Sequence, residues 1–67
     1  MFSDSDHAFM QEAIQLAKEA ALVDEVPVGA VITLDNKIIG RGFNQVISMT
    51  DVTAHAEILA IKDASQT

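Results

Sequence analysis

From Ala8 to Leu22, apolar side chains recur at Phe9, Met10, Ala13, Ile14, Ala17, Ala20 and Ala21, the i, i+4, i+8 and i+11 spacing of one helical face. Glu12, Lys18 and Glu19 fall off that stripe, so the opposite face is expected to meet water. Ser5 or Asp6 is placed to act as the N-cap. Pro27 disfavours helical geometry at Val26, which makes Asp24-Glu25 the exit loop. Gly29 to Leu34 is β-branched and almost continuously apolar, and Lys37 to Gly42 forms a second short run. Asp35-Asn36 between them is a two-residue hairpin signal. A strand apolar on both sides belongs in a sheet covered by helices rather than one open to water. Phe43 to Thr50 reads as a loop, after which Asp51 or Thr53 can cap a second helix. That helix carries Ala54, Ile58 and Ile61 on one face, with Ala56, Ala60 and Ala64 beside it.

The order helix, strand, strand, helix predicts an α/β chain, and 67 residues hold one domain at most. Two strands make a poor sheet, and the second helix has the length of a crossover leading to a third, parallel strand. No such strand follows in the pattern. Residues 1–67 are therefore expected to be the truncated N-terminal part of a single three-layer α/β domain whose later parallel strands are missing. A chain of this size buries only about 60% of the surface its unfolded form exposes. Its composition, 49% hydrophobic and 21% charged, is still that of a folded segment.

Four Lys and Arg against ten Asp and Glu give a net charge of −6, the wrong sign for holding phosphates by counterion release. There is no cysteine, so disulfides and thiolate metal sites are excluded within these residues, and any zinc must use histidine and carboxylates. The acidic start, Met1 to Asp6, lacks the basic flank and apolar stretch of a signal peptide, which predicts a cytoplasmic location. The longest apolar runs fall far short of the roughly 20 residues that span a bilayer.

His55-Ala56-Glu57 pairs a metal-type ligand with a carboxylate at close spacing. Two residues apart on a helix means about 200° of rotation, so the two side chains converge only at a first turn. On spacing alone, the pair reads first as a capped helix start with a solvated glutamate favoured by the helix dipole, and second as a site. His7 is read as a surface residue without a role. Gly40-Arg41-Gly42 lacks the following Lys-Ser/Thr and helix of a phosphate loop and reads as a turn or bulge. Asn44 is a turn-former or, in the functional alternative, an amide that contacts a ligand.

Taken together, Glu25-Val26-Pro27-Val28-Gly29-Ala30-Val31-Ile32, Ile39-Gly40-Arg41-Gly42-Phe43-Asn44 and Asp51-Val52-Thr53-Ala54-His55-Ala56-Glu57-Ile58 resemble the N-terminal part of the bacterial tRNA-specific adenosine deaminases. These belong to the zinc deaminase class with a His-x-Glu and a later Pro-Cys-x-x-Cys signature. The resemblance covers the whole chain and somewhat less than half of a family domain. It implies a cytidine deaminase-like fold, a mixed five-stranded sheet between helices. It also implies that His55 binds zinc with two cysteines, that Glu57 shuttles protons without touching the metal, and that Asn44, Val28 and Ala54 contact or line the nucleotide pocket. tRNA is the implied substrate, deaminated from adenosine to inosine at the anticodon wobble position, and a homodimer is the implied assembly. Val52 stands where the family usually has proline, which is expected to loosen the loop and leave the ligand residue in place.

With two of three zinc ligands absent, the 67 residues alone are expected to be catalytically silent. Two alternatives stay open. One is a fragment of a deaminase acting on a free base or nucleoside such as guanine or cytosine. The other is a non-enzymatic fragment that docks on an intact deaminase subunit or a separately made C-terminal half.

Overall fold

The first helix begins a turn before its apolar stripe does, because Ser3 and Asp6 form a reciprocal cap. The computed structural model of the chain describes residues 3–66. In it, α1 runs Asp4–Leu22 with Ser3, rather than Ser5 or Asp6, as N-cap. The Asp6 amide donates to Ser3 Oγ and the Ser3 amide to Asp6 Oδ2, both at 3.1 Å. Asp6 is thus the third-position half of a capping box. At the other end, Asp24 takes a left-handed φ of 59°. The Glu25 amide donates to Ala20 O at 3.0 Å and the Asp24 amide to Ala21 O at 3.1 Å, a Schellman closure.

β1 (Gly29–Leu34) and β2 (Lys37–Phe43) pair antiparallel through the expected two-residue turn. Asp35 and Asn36 carry φ values of 50° and 65°, the doubly left-handed geometry that suits the twist of a hairpin. The register slips between Ile32 and Thr33, so Ile39 is an extra residue beside Gly40. The bulge expected near Gly40-Arg41-Gly42 therefore falls just ahead of it, and the two glycines lie within the strand.

α2 (Ala56–Ala64) follows the loop after β2. Alternation along the strands puts Val31 and Arg41 on one face, where Arg41 Nε meets Glu12 Oε1 of α1 at 3.1 Å. Gly40 and Gly42 point to the other face, against α2. The helices thus cover opposite sides of the hairpin and meet the sheet but not each other. This is the three-layer α/β arrangement expected from the near-continuous apolar first strand, here with a two-stranded sheet.

Two helix faces differ from expectation. On α1, Leu16 and Ala20 are buried, while Met10, Ile14 and Ala21 of the expected stripe are exposed. The apolar arc is wider than two strands can cover, and packing rotates its centre towards Leu16. On α2 the buried positions are Ala56 and Ala60, and Ile61 is 58% exposed. The cause lies in β2. A Cβ on Gly42 would run into Ala56 O and within 2.6 Å of Ala60 N, and one on Gly40 would meet Ala60 O and Ala64 Cβ. Missing side chains on the strand and alanines on the helix bring the two backbones into direct apposition, which no isoleucine face could achieve.

The cost is a thin core. Among the described residues no large side chain is completely buried, and the chain exposes 4749 Å² against about 4100 Å² for a compact monomer of this size. No helix among the described residues is long and apolar enough to cross a membrane.

Gly42→Ala is expected to destabilise the chain by about 1–3 kcal/mol through overpacking against the α2 backbone. Val52→Ala, at a position 81% exposed, should stay within about 0.5 kcal/mol. Thermal melts followed by circular dichroism check both, and a Gly42→Ala chain that melts with the parent would contradict the close helix-strand apposition.

Candidate functional site

Where β2 gives way to α2, the backbone is fastened by one asparagine. Asn44 is 7% exposed. Its amide donates to Val28 O at 3.1 Å, and its Oδ1 accepts the Ala56 amide at 2.8 Å. The neighbouring Gln45 amide donates to Ala54 O at 2.9 Å. A helix start leaves its first amides unpaired. His55 occupies the N-cap position with extended backbone angles and makes no side-chain cap. The acceptor comes instead from Asn44, twelve residues before the amide it satisfies.

Asp51 and Thr53, expected as caps of this helix, close on each other. Asp51 Oδ1 accepts from the Thr53 amide at 2.9 Å and from Thr53 Oγ1 at 2.7 Å, a local turn completed before the helix begins. The Thr53 hydroxyl and then its amide hold the Asp51 carboxyl below its ordinary value, with a smaller contribution from Lys62, against an opposing effect of burial.

Along residues 54–57 buried and exposed positions alternate. Ala54 and Ala56 are covered completely, while His55 and Glu57 are exposed. The small residues seat the helix start on the sheet and leave the imidazole and carboxylate side chains facing outward. Val28, 39% exposed, lies at the approach to β1 and shares the Asn44 hydrogen bond. Hydrogen bonds thus tie Val28, Asn44, Ala54 and Ala56 into one corner at the open end of the hairpin, and His55 and Glu57 stand exposed on the same segment. Ala54, without exposed surface, backs that corner rather than lining it. His7 lies elsewhere, on a groove between α1 and β1.

Glu25, expected in the exit loop and at the head of the Glu25–Ile32 motif, also acts as a clamp. It is 6% exposed, and its carboxylate crosses to the loop after β2. Oε1 accepts the Ile47 amide at 3.2 Å, and Oε2 accepts the Ser48 amide at 2.6 Å and Ser48 Oγ at 2.8 Å. Burial pushes this carboxyl upward, but the Ser48 amide and hydroxyl, with the Ile47 and Val46 amides, outweigh it and hold it below its ordinary value. The sequence signal is a charged residue just ahead of Val26-Pro27, where an exit loop alone calls for none.

The residues present do not make a zinc centre among themselves. Such a centre takes about three protein ligands and a water. The described residues contain no group of three His, Cys, Asp or Glu side chains able to hold a metal, and the sequence has no cysteine. His55 offers one imidazole. A cavity of about 710 Å³ lies along α1 and β1 between Phe9, Met10, Ala30 and Val31 and includes none of the corner residues. A smaller one of about 250 Å³ reaches the corner only at Val28.

A family model for the cytidine and deoxycytidylate deaminase zinc-binding region matches residues 3–67. The chain is 51% identical over 63 residues to a tRNA-specific adenosine deaminase of Buchnera aphidicola subsp. Baizongia pistaciae, covering 94% of this chain and 39% of that protein. It is 52% identical over 61 residues to a chloroplastic tRNA(adenine(34)) deaminase of Arabidopsis thaliana, covering 91% of this chain and 5% of that protein. A solved structure from work on A-to-I editing by tRNA:A34 deaminases at the wobble position superposes with a TM-score of 0.87 at 45% identity, over 90% of this chain and 46% of that one. The chain spans less than half the length of each.

Asn44→Ala is expected to leave the buried Ala56 amide unpaired, to cost about 1–3 kcal/mol, and to abolish protection of that amide in hydrogen exchange. Asn44→Asp, which keeps an acceptor at the helix start, should retain most of the protection. Because the folded state lowers the Glu25 pKa, its contribution is fully present above the ordinary value of 4.5 and is lost as pH falls through the folded value. The Ile47 and Ser48 amide shifts should therefore titrate with a midpoint below 4.5. A midpoint at or above it would contradict the carboxylate clamp.

Proposed function

The chain belongs to the cytidine and deoxycytidylate deaminase zinc-binding family, and from that premise we propose that it supplies the His55–Glu57 portion of a tRNA adenosine deaminase site. The observation that carries this reading is the exposed His55–Glu57 pair at the start of a helix seated on covered alanines, in a chain about half identical to tRNA adenosine deaminases. The reaction is hydrolytic. Water adds at C6 of adenine, the C6–N6 bond breaks, ammonia leaves, and adenosine becomes inosine at the wobble position.

Glu57 is the proton carrier. It accepts a proton as water adds and passes it to the ring nitrogen, then takes the proton of the added hydroxyl and gives it to the departing amine, so it ends the cycle as it began. Its place at the second position of α2, exposed and beside the N-cap, suits a carboxylate that must stay off a metal and reach a substrate. His55 presents one imidazole donor. The nucleotide contacts are assigned to Val28 and the Asn44 side-chain Nδ2, the polar atom of Asn44 that the backbone clasp does not use, with Ala54 as the floor behind them.

Zinc is the metal of the family and activates water when its site is complete. Two thiolates of a Pro-Cys-x-x-Cys segment complete that site in this class, and these 67 residues contain none. Activity thus requires polypeptide that carries the cysteines, whether in the same chain or as a separate half, and tRNA and a second subunit belong to that larger assembly. The apolar groove along α1 and β1 supports a covering partner of this kind.

A chimera in which residues 3–67 replace the matched segment of the Buchnera deaminase is expected to form inosine in tRNA. Glu57→Gln should lower its kcat by about 10²–10⁴, and His55→Ala should remove zinc from it. The 67-residue chain alone should form no inosine with zinc added. Turnover by that chain alone, or a chimera that deaminates free cytidine or guanine but not tRNA, would overturn the reading.

A further inference from the structure

We infer that Glu25 is a positioning residue for the His55–Glu57 corner, acting through residues 45–50. The inference rests on the deaminase reading only for what the corner does, not for how it is held.

A carboxylate taken out of water is costly unless hydrogen bonds replace the water. Glu25 is covered, and its donors all belong to one short segment, the Ile47 and Ser48 amides and the Ser48 hydroxyl with a smaller contribution from the Val46 amide. Little else in the protein supports that segment. Ile47, Ser48, Met49 and Thr50 are exposed, and Thr50 takes a left-handed φ of 51°. Its remaining bonds are internal, from the Met49 amide to Gln45 O, the Thr50 amide to Ile47 O and the Asp51 amide to Val46 O. The loop is thus a closed knot whose tip, Ile47 and Ser48, is anchored to the Glu25 side chain.

That anchor is fixed at its own end. The Glu25 amide is part of the α1 closure through Ala20 O, so the carboxylate is held to a helix of nineteen residues. The knot in turn joins the corner at both of its ends. Gln45 donates to Ala54 O and adjoins Asn44, whose Oδ1 caps Ala56, while the Asp51 O accepts the Ala54 amide at 3.0 Å. The contacts therefore run from α1 through Glu25 and the loop to the residues on either side of His55. The chemistry of the anchor is specific. Both oxygens face donors only, so a glutamine of the same shape would turn an NH2 group towards an N–H.

Glu25→Gln keeps the volume and removes an acceptor, and it is the test. In the 67-residue chain it is expected to speed exchange of the Ile47 and Ser48 amides, and also of the Ala54 and Ala56 amides, by about tenfold. It should shift the His55 ring resonances while protection in the middle of α1 and in the hairpin stays unchanged. Changes confined to Ile47 and Ser48, with Ala54, Ala56 and His55 as in the parent, would overturn the inference and leave Glu25 a local loop tether. If Glu25→Gln also strips protection from α1 and the hairpin, Ser48→Ala decides, because it deletes only the hydroxyl donor. A smaller shift at Ala56 and His55 in that variant supports positioning, and none overturns it. A parent chimera that forms no inosine would overturn the deaminase reading and leave the exchange result standing.

Discussion

One buried hydrogen bond, from the Ala56 amide to Asn44 Oδ1 at 2.8 Å, sets where the second helix starts. The amide is one of the unpaired donors every helix start must satisfy, and the residue at the N-cap does not supply an acceptor. Because Asn44 is itself tied to Val28 at the mouth of the hairpin, the sheet dictates the position of the helix. Everything chemically interesting in the chain hangs from that clasp. His55 and Glu57 flank the capped residue, so an error in the clasp is an error in both.

The clasp works only because the helix can lie almost on the strand. Gly40 and Gly42 remove side chains from β2 where Ala56, Ala60 and Ala64 pass over it, and backbone meets backbone. This packing sacrifices large buried side chains, and the core is accordingly thin. Polar anchors take over part of what a deeper core would do. Glu25 pins the loop after β2, Arg41 joins the sheet to both helices through Glu12 Oε1 and, by its backbone amide, Asp63 Oδ2, and Asp51 closes the last turn before His55. The grooves left along α1 and β1 are the other side of the same economy, apolar surface that a two-stranded sheet cannot cover.

What the sequence made legible was local. Apolar periodicity, the Asp35-Asn36 turn and Pro27 gave the four elements and both strands nearly to the residue, since each signal acts over a few positions. The motifs Glu25–Ile32, Ile39–Asn44 and Asp51–Ile58 carry the family and point to His55 and Glu57, which stand exposed at a helix start. Hidden were the features made by residues far apart in the chain. Asn44 caps an amide twelve residues on, and Glu25 reaches donors 22 and 23 residues on, so neither role leaves a spacing signal. The rotation of α1 that buries Leu16 and exposes Met10 is likewise set by the width of the sheet. Ser3 is the exception, a capping box readable in principle and hidden by Ser5 and Asp6, two cap-forming residues nearer the apolar stripe.

The most direct test of the clasp is a trans-hydrogen-bond scalar coupling between the Ala56 amide nitrogen and the Asn44 side-chain carbonyl carbon, measured in the labelled 67-residue chain. The account predicts a resolved coupling between these two nuclei and none from Ala56 to the Asp51 carboxyl carbon. Absence of the Asn44 coupling, with an Ala56 amide that exchanges at the rate of an open chain, would show that the start of α2 is set by something else.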